Sequence, residues 1–201
     1  MLSGLESLGS RDRLQLAVMH EKYMPDSLVT MFGRAYAQEF YDFVVDSPND
    51  CLLVHEENGN ILGACVLSMS PIDLTRRLVV STRLVLWGWL GIWRMFTRGY
   101  SKIAADGAFG PKRNQQNLPE IVYIFVEENA RNHGVGAHLL AMCEKFLSSR
   151  GCDCVIVNTR DEPSNRAMNF YLRNGFVTIR RYLYGGAPSQ TLRKNVFKRT
   201  D

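Results

Sequence analysis

The chain has 201 residues, of which 46% are hydrophobic and 22% charged. At roughly 100–200 residues per domain this is one domain with room for a core, and the average composition excludes a disordered chain, a collagen-like repeat and a coiled coil. The net charge of +4 is lopsided: residues 1–60 carry 4 basic and 10 acidic side chains, residues 160–201 carry 9 and 3. That excludes a uniformly basic nucleic-acid binder and suggests a local anionic ligand or surface.

Residues 14–47 read as helical. Leu14, Leu16, Val18 and Met19 lead to a break at Pro25. Asp26 or Ser27 can cap a short second helix, and Gly33 separates it from Arg34–Val45, where Phe40, Tyr41, Val44 and Val45 recur at helical spacing. Residues 51–56 and 61–69 are apolar runs joined by Glu-Asn-Gly-Asn, a strong hairpin signal. Residues 71–117 fit no pattern cleanly; they read as a helix from Asp73 to Phe96 and then a polar loop. Residues 120–126 are a strand, Gly136–Ser149 a helix, 154–158 a strand, and Ser164–Asn174 a helix stopped by Gly175. Phe176–Leu183 and Lys194–Lys198 are the candidate closing strands. This order predicts a mixed α/β domain around one central sheet.

The five cysteines, Cys51, Cys65, Cys143, Cys152 and Cys154, are odd in number and irregular in spacing. They read as free thiols, so no metal is expected and a reducing, cytosolic location is. The N-terminus lacks a long apolar run, so no signal peptide is expected. The most apolar stretch, Leu84–Trp93, is shorter than the ~20 residues of a spanning helix, although it could lie on a membrane surface.

Two motifs carry chemistry. Strand 120–126 runs into Arg131-Asn132-His133-Gly134-Val135-Gly136-Ala137, with a helix opening at once. Glycines there let the backbone approach a ligand, and the free N–H groups of the first helical turn form an anion site. An ordinary strand-to-helix turn has the same look, but the loop is neither a Walker loop nor a dinucleotide fingerprint. The second motif is Ala167-x-x-Phe170-Tyr171-x-x-x-Gly175-Phe176. Tyr171 is either a core aromatic or a proton donor at the floor of a cleft.

Together, in this order, the motifs resemble the GNAT acetyltransferase superfamily, specifically over about residues 118–178 and more loosely over 14–69. The resemblance implies a single GNAT-like α/β domain over residues 1–201, with acetyl-CoA as co-substrate. Backbone N–H groups of Asn132, His133, Gly134, Val135, Gly136 and Ala137 would hold the pyrophosphate. Strand backbone at Phe125, Val126 and Glu127 would pair with the pantetheine, and Arg131 would face the phosphates. The family's helix often begins with Asn three residues before the Ala; here Ser164 stands there, with Asn165 beside it, and the resemblance implies that these two also contact the cofactor. An amine would attack the thioester directly, Tyr171 would protonate the leaving thiolate, and Glu120 would be the base, at the position of the catalytic Glu in the histone acetyltransferases. The same Glu120 also reads as an exposed carboxylate at a strand start.

The expected acceptor is a small-molecule amine: an amino sugar, an amino acid or a polyamine. A non-catalytic acyl-CoA-binding or partner-binding module is the alternative. So is a membrane-surface N-acyltransferase with longer donors, because on a continuous helix Arg76, Arg83, Arg94 and Arg98 share one side, with Trp89, Trp93 and Phe96 largely opposite. Residues 76–98 can thus be core packing, an acceptor-site wall or a peripheral membrane contact. No nucleic acid is expected; an edge strand and the apolar insertion make a homodimer an open option.

Overall fold

The structure is a computed structural model that describes residues 9–71, 74, 117–184 and 186–196. The expected insertion at 71–117, with its Arg- and Trp-rich segment, lies almost wholly outside the described residues.

Three helices open the chain: α1 (Ser10–Tyr23), α2 (Leu28–Phe32) and α3 (Arg34–Val45). Proline at position 25 cannot continue α1. Ser27 caps α2 by accepting from the Thr30 N–H at 3.1 Å. Gly33, at φ 96°, turns the chain between α2 and α3, in a region closed to most side chains. The hairpin follows as β1 (Asp50–Glu57) and β2 (Asn60–Ser68), with Asn58 and Gly59 both at positive φ. That is the mirror-image turn whose twist matches two antiparallel strands.

The remaining elements are β3 (Glu120–Val126), a 3-10 turn (Glu128–Ala130), α4 (Val135–Ser149), β4 (Cys154–Arg160), α5 (Arg166–Arg173), β5 (Val177–Tyr184) and β6 (Ala187–Asn195). The six strands form one mixed sheet in the order β1-β2-β3-β4-β6-β5. Successive residues Leu52, Leu53 and Val54 serve opposite faces, which is why the run is continuously apolar. One face packs Leu52, Val54, Ala64, Val66 and Phe125 beneath Leu16, Phe40 and Tyr41 of α1 and α3. The other packs Leu53, Cys65, Leu67, Ile121, Val155, Val157 and Leu192 against Leu139, Cys143 and Leu147 of α4, with Tyr171 of α5.

The closing strand departs from expectation. It starts at Ala187, not Lys194, and sits in the sheet between β4 and β5. Its Ser189, Gln190 and Thr191 are buried polar residues, so no apolar alternation announces it. Thr191 donates to Asn158 Oδ1 at 2.7 Å, and Gln190 accepts from Thr178 at 2.8 Å. Side-chain hydrogen bonds thus offset part of the cost of burying polar groups in the sheet, although Gln190 Nε2 has no partner among the described residues. The other correction concerns the helix expected from Ser164, which begins at Arg166 with Asn165 as its cap: Asn165 Oδ1 accepts from the N–H groups of Ala167 and Met168 at 3.0 and 3.4 Å.

Five cysteines are free thiols, as expected. Among the described residues no helix is long and apolar enough to cross a membrane, and no group of three or more His, Cys, Asp or Glu side chains could hold a metal ion.

Candidate active site

The site is built where parallel strands separate. β3 and β4 pair at just two positions, Glu120 with Ile156 and Ile121 with Val157. β3 continues to Val126 and β4 to Arg160 without further pairing, so a wedge opens between them. On the other edge of β3, the Glu127 N–H donates to Leu62 O at 2.8 Å. Antiparallel alternation then turns the amides of Ile124 and Val126 away from β2, towards the wedge, and those of Phe125 and Glu127 towards β2. Of the three expected strand positions, Val126 therefore offers its backbone to the wedge. The Phe125 side chain is buried in the core beneath α1.

At the wide end of the wedge lies the glycine loop. Asn132 (φ 64°) and Gly134 (φ 84°) both adopt left-handed backbone, and Gly134 is the N-cap of α4. The first intrahelical bond runs from the His138 N–H to Gly134 O at 2.9 Å, and no side chain caps the helix. The N–H groups of Val135, Gly136 and Ala137 thus have no helix carbonyl to reach. A Cβ on Gly134 would meet no atom within 4 Å, so the space over the loop is open. A Cβ on Gly136 would instead lie 3.0 Å from Phe170 and 3.8 Å from Val126. Glycine at 136 therefore lets the start of α4, the end of β3 and the tyrosine-bearing α5 meet.

Sequence reading overlooked Gly63 on β2. A Cβ there would stand 3.0 Å from Val135, 3.1 Å from Leu139 and 3.1 Å from the Phe125 carbonyl. The absent side chain lets the first turn of α4 settle onto the sheet. The signal was one glycine inside an apolar strand, which marks close approach of another backbone or helix.

Arg131 donates through Nε to Val126 O at 3.2 Å, and its guanidinium carbon lies 4.8 Å from the centre of the Tyr23 ring. His133 is exposed and helps line a cavity of about 160 Å³ with Glu57, Leu62, Asn129, Ala130 and Val135. His138, also exposed, packs edge-on against His55. Asn165 ties the other rim together by donating to Thr159 Oγ1 at 2.9 Å and to Arg160 O at 2.7 Å. Ser164 is an exposed turn residue.

The two candidate proton-transfer groups occupy opposite faces of the sheet. Tyr171 is 3% exposed and packs with Cys65 and Cys143. Burial, with smaller contributions from those two thiols, pushes its phenol well above the usual range, so it stays protonated. Among the described residues its hydroxyl has no hydrogen-bond partner. Glu120 stands at the apex of the wedge. Its neighbour Ile121 points to the α4 face, so alternation turns Glu120 to the face of α1 and α3.

There Asn158 fixes the carboxylate. Asn158 Nδ2 donates to Glu120 Oε1 at 2.8 Å, and Asn158 Oδ1 accepts from the hydroxyls of Tyr182 at 2.9 Å and Thr191 at 2.7 Å. Two hydroxyl donors on one side and a carboxylate on the other leave one sensible orientation of the amide. Asn158 ends an apolar run, and nothing in its spacing marked it.

A family model described as the acetyltransferase (GNAT) family matches residues 16–176. No curated protein matches the chain. Among solved structures, an aminoglycoside 6′-N-acetyltransferase complexed with coenzyme A is similar with a TM-score of 0.63 at 13% identity, covering 100% of this chain and 99% of that one. Ard1 from Thermoplasma volcanium follows with 0.58 at 15% identity, covering 94% and 95%. Tetrahymena GCN5 gives 0.55 at 11% identity, covering 100% and 96%. At such identities these likenesses speak for the fold.

Proposed function

The chain belongs to the acetyltransferase (GNAT) family, and from that premise we propose that it transfers an acetyl group from acetyl-CoA to a primary amine of a small molecule by direct attack. The observation that carries this reading is the convergence at Gly136. There an uncapped helix N-terminus, the unpaired end of β3 and the tyrosine helix share one wedge.

The residues fit the donor. Open space over Gly134 leaves room for a pyrophosphate on the first-turn N–H groups, where the helix dipole favours negative charge. Backbone at Ile124 and the N–H of Val126, left unpaired by β4, offer a strand edge to the amides of the pantetheine arm. The acceptor's nitrogen attacks the thioester carbon, the carbon–sulfur bond breaks, and the sulfur leaves with the electron pair. Tyr171, held neutral by burial, gives the proton or hydrogen bond that the departing sulfur needs. Glu120 accepts the proton that the amine loses, directly or through one water, and Asn158 holds its carboxylate in place.

An amine with a hydroxylated or sugar-like body suits the polar side chains of Glu120, Asn158 and Tyr182 better than a long acyl acceptor. The test is thiol release from acetyl-CoA with a panel of aminoglycosides, amino sugars, amino acids and polyamines, with calorimetry of CoA binding alongside. Turnover with one of these classes supports the reading. Tight CoA binding without release for any amine would point to a binding module instead.

A further inference from the structure

Tyr23 is the last residue of α1, far in sequence from the glycine loop, yet it meets the loop's entry at several points. Its hydroxyl donates to Glu127 Oε2 at 2.6 Å and accepts from the Glu128 N–H at 3.0 Å. Its ring stacks on Phe125, with centroids 6.4 Å apart and planes 26° apart. The Arg131 guanidinium lies over the same ring at 4.8 Å. A helix end is thus fastened to both ends of the turn that leads from β3 into the cradle.

The charges are sorted at the same place. Lys22 Nζ lies 3.3 Å from Glu127 Oε2. Partial burial pushes the Glu127 carboxyl up, but the hydrogen bonds from Tyr23 and Lys22, with the charge of Lys22, outweigh it and hold it below its usual value. The neighbouring carboxylate is therefore taken by Tyr23 and Lys22. Arg131 spends Nε on the Val126 carbonyl, and its terminal nitrogens have no hydrogen-bond partner among the described residues. A planar guanidinium held by one bond and one stacked ring keeps a fixed orientation with its strongest donors free.

We propose that Tyr23 is a positioning residue for the acyl donor, acting through Arg131 on the donor's pyrophosphate. The proposal rests on the reading that the glycine loop binds acyl-CoA. Tyr23 touches neither the reacting atoms nor the phosphates. It sets the plane of the guanidinium by stacking and pins the 3-10 turn by its hydroxyl, so that Arg131 enters binding already ordered.

The test compares two donors in steady state, acetyl-CoA and S-acetyl-pantetheine, which has the same thioester without a pyrophosphate. Tyr23→Leu, which loses ring and hydroxyl, should raise KM for acetyl-CoA about tenfold with kcat nearly unchanged, and leave kcat/KM for S-acetyl-pantetheine as in the parent protein. Tyr23→Phe, which keeps the stacked ring, should restore part of the loss. Adding Arg131→Met to Tyr23→Leu should cost little more than either change alone. Equal losses with both donors, a change confined to the amine's KM, or additive losses in the double variant would overturn the proposal. Should Tyr23→Leu fail to fold, Tyr23→Phe and Arg131→Lys give the same comparison, since lysine keeps the charge but not the stacked plane. Absence of CoA binding by the parent protein in calorimetry would overturn the donor reading itself. Normal binding with an indifferent Tyr23 would overturn this inference alone.

Discussion

Replacing Asn158 with Asp tests the base assignment without changing shape. The hydroxyls of Tyr182 and Thr191 can donate to a carboxylate as they do to the amide oxygen, so that side of the network survives. The side facing Glu120 reverses sign, because a donor at 2.8 Å becomes a second acceptor with a negative charge. Two carboxylates with charge centres about 4 Å apart repel by roughly 4 kcal/mol at an effective dielectric near 20. At 1.36 kcal/mol per pKa unit this is about 3 units, and screening at a half-buried site leaves about 2. The repulsion raises the apparent pKa of the pair, so one of the two carboxyls holds its proton up to about pH 6. A base must be ionised to accept a proton. From the usual carboxylate value, activity at pH 7 should therefore change by less than about twofold, fall about tenfold at pH 5 and return as the pH rises, with the acidic limb of the kcat/KM profile shifted up by about 2 units. The assay is the pH dependence of thiol release by parent and variant, with a thermal melt to establish that both are folded. A folded variant whose acidic limb has not moved would remove Glu120 from the reaction.

Tyr171→Phe should lower turnover by about 10²–10⁴ while CoA affinity in calorimetry stays close to that of the parent; its hydroxyl has no partner among the described residues whose loss would disturb the fold. Gly134→Ala should cost about 1–2 kcal/mol in chemical denaturation, from the positive φ of 84° alone. Gly134→Val should in addition abolish CoA binding by filling the open space above the loop, and wild-type affinity would dismiss the cradle. His20, buried between Tyr41 and Ser27, has its pKa lowered by burial to about 3. The unfolded chain binds a proton there below about pH 6.5 and the folded one does not, so stability falls as pH drops from about 6.5 to about 3. From this residue alone, unfolding at pH 5 should require about 2 kcal/mol less than at pH 7, read by urea titration at the two values.

The parts legible in the sequence were those written in backbone rules. Pro25, Gly33, Asn58-Gly59, Gly134 and Gly175 each mark a turn or a helix end because few other residues tolerate the required geometry, and the structure has a break at each. Long apolar runs named β1 to β4 for the same reason. What remained hidden depended on contacts distant along the chain. β6 is polar because its partners are Asn158 and Thr178, which no local window contains. Gly63 matters because α4 comes to rest on it, a contact that no reading of β2 alone contains. Tyr23 and Asn158 carry no local mark: one ends a helix and the other lies in a strand. Each acquires its role across more than 30 intervening positions.

The two rungs that join β3 to β4 make this sheet two half-sheets sharing one short hinge of backbone hydrogen bonds. β1, β2 and β3 with α1 to α3 form one half; β4, β6, β5 and α5 form the other, and α4 leans on both through its core contacts. A donor lying in the wedge would then be a structural member as well as a reactant, lending β3 the neighbour that β4 ceases to be after Ile121. Its departure as a free thiol would hand the molecule back a gap, and the ease of that exchange would tie the pace of product release to the stiffness of a hinge two residue pairs long.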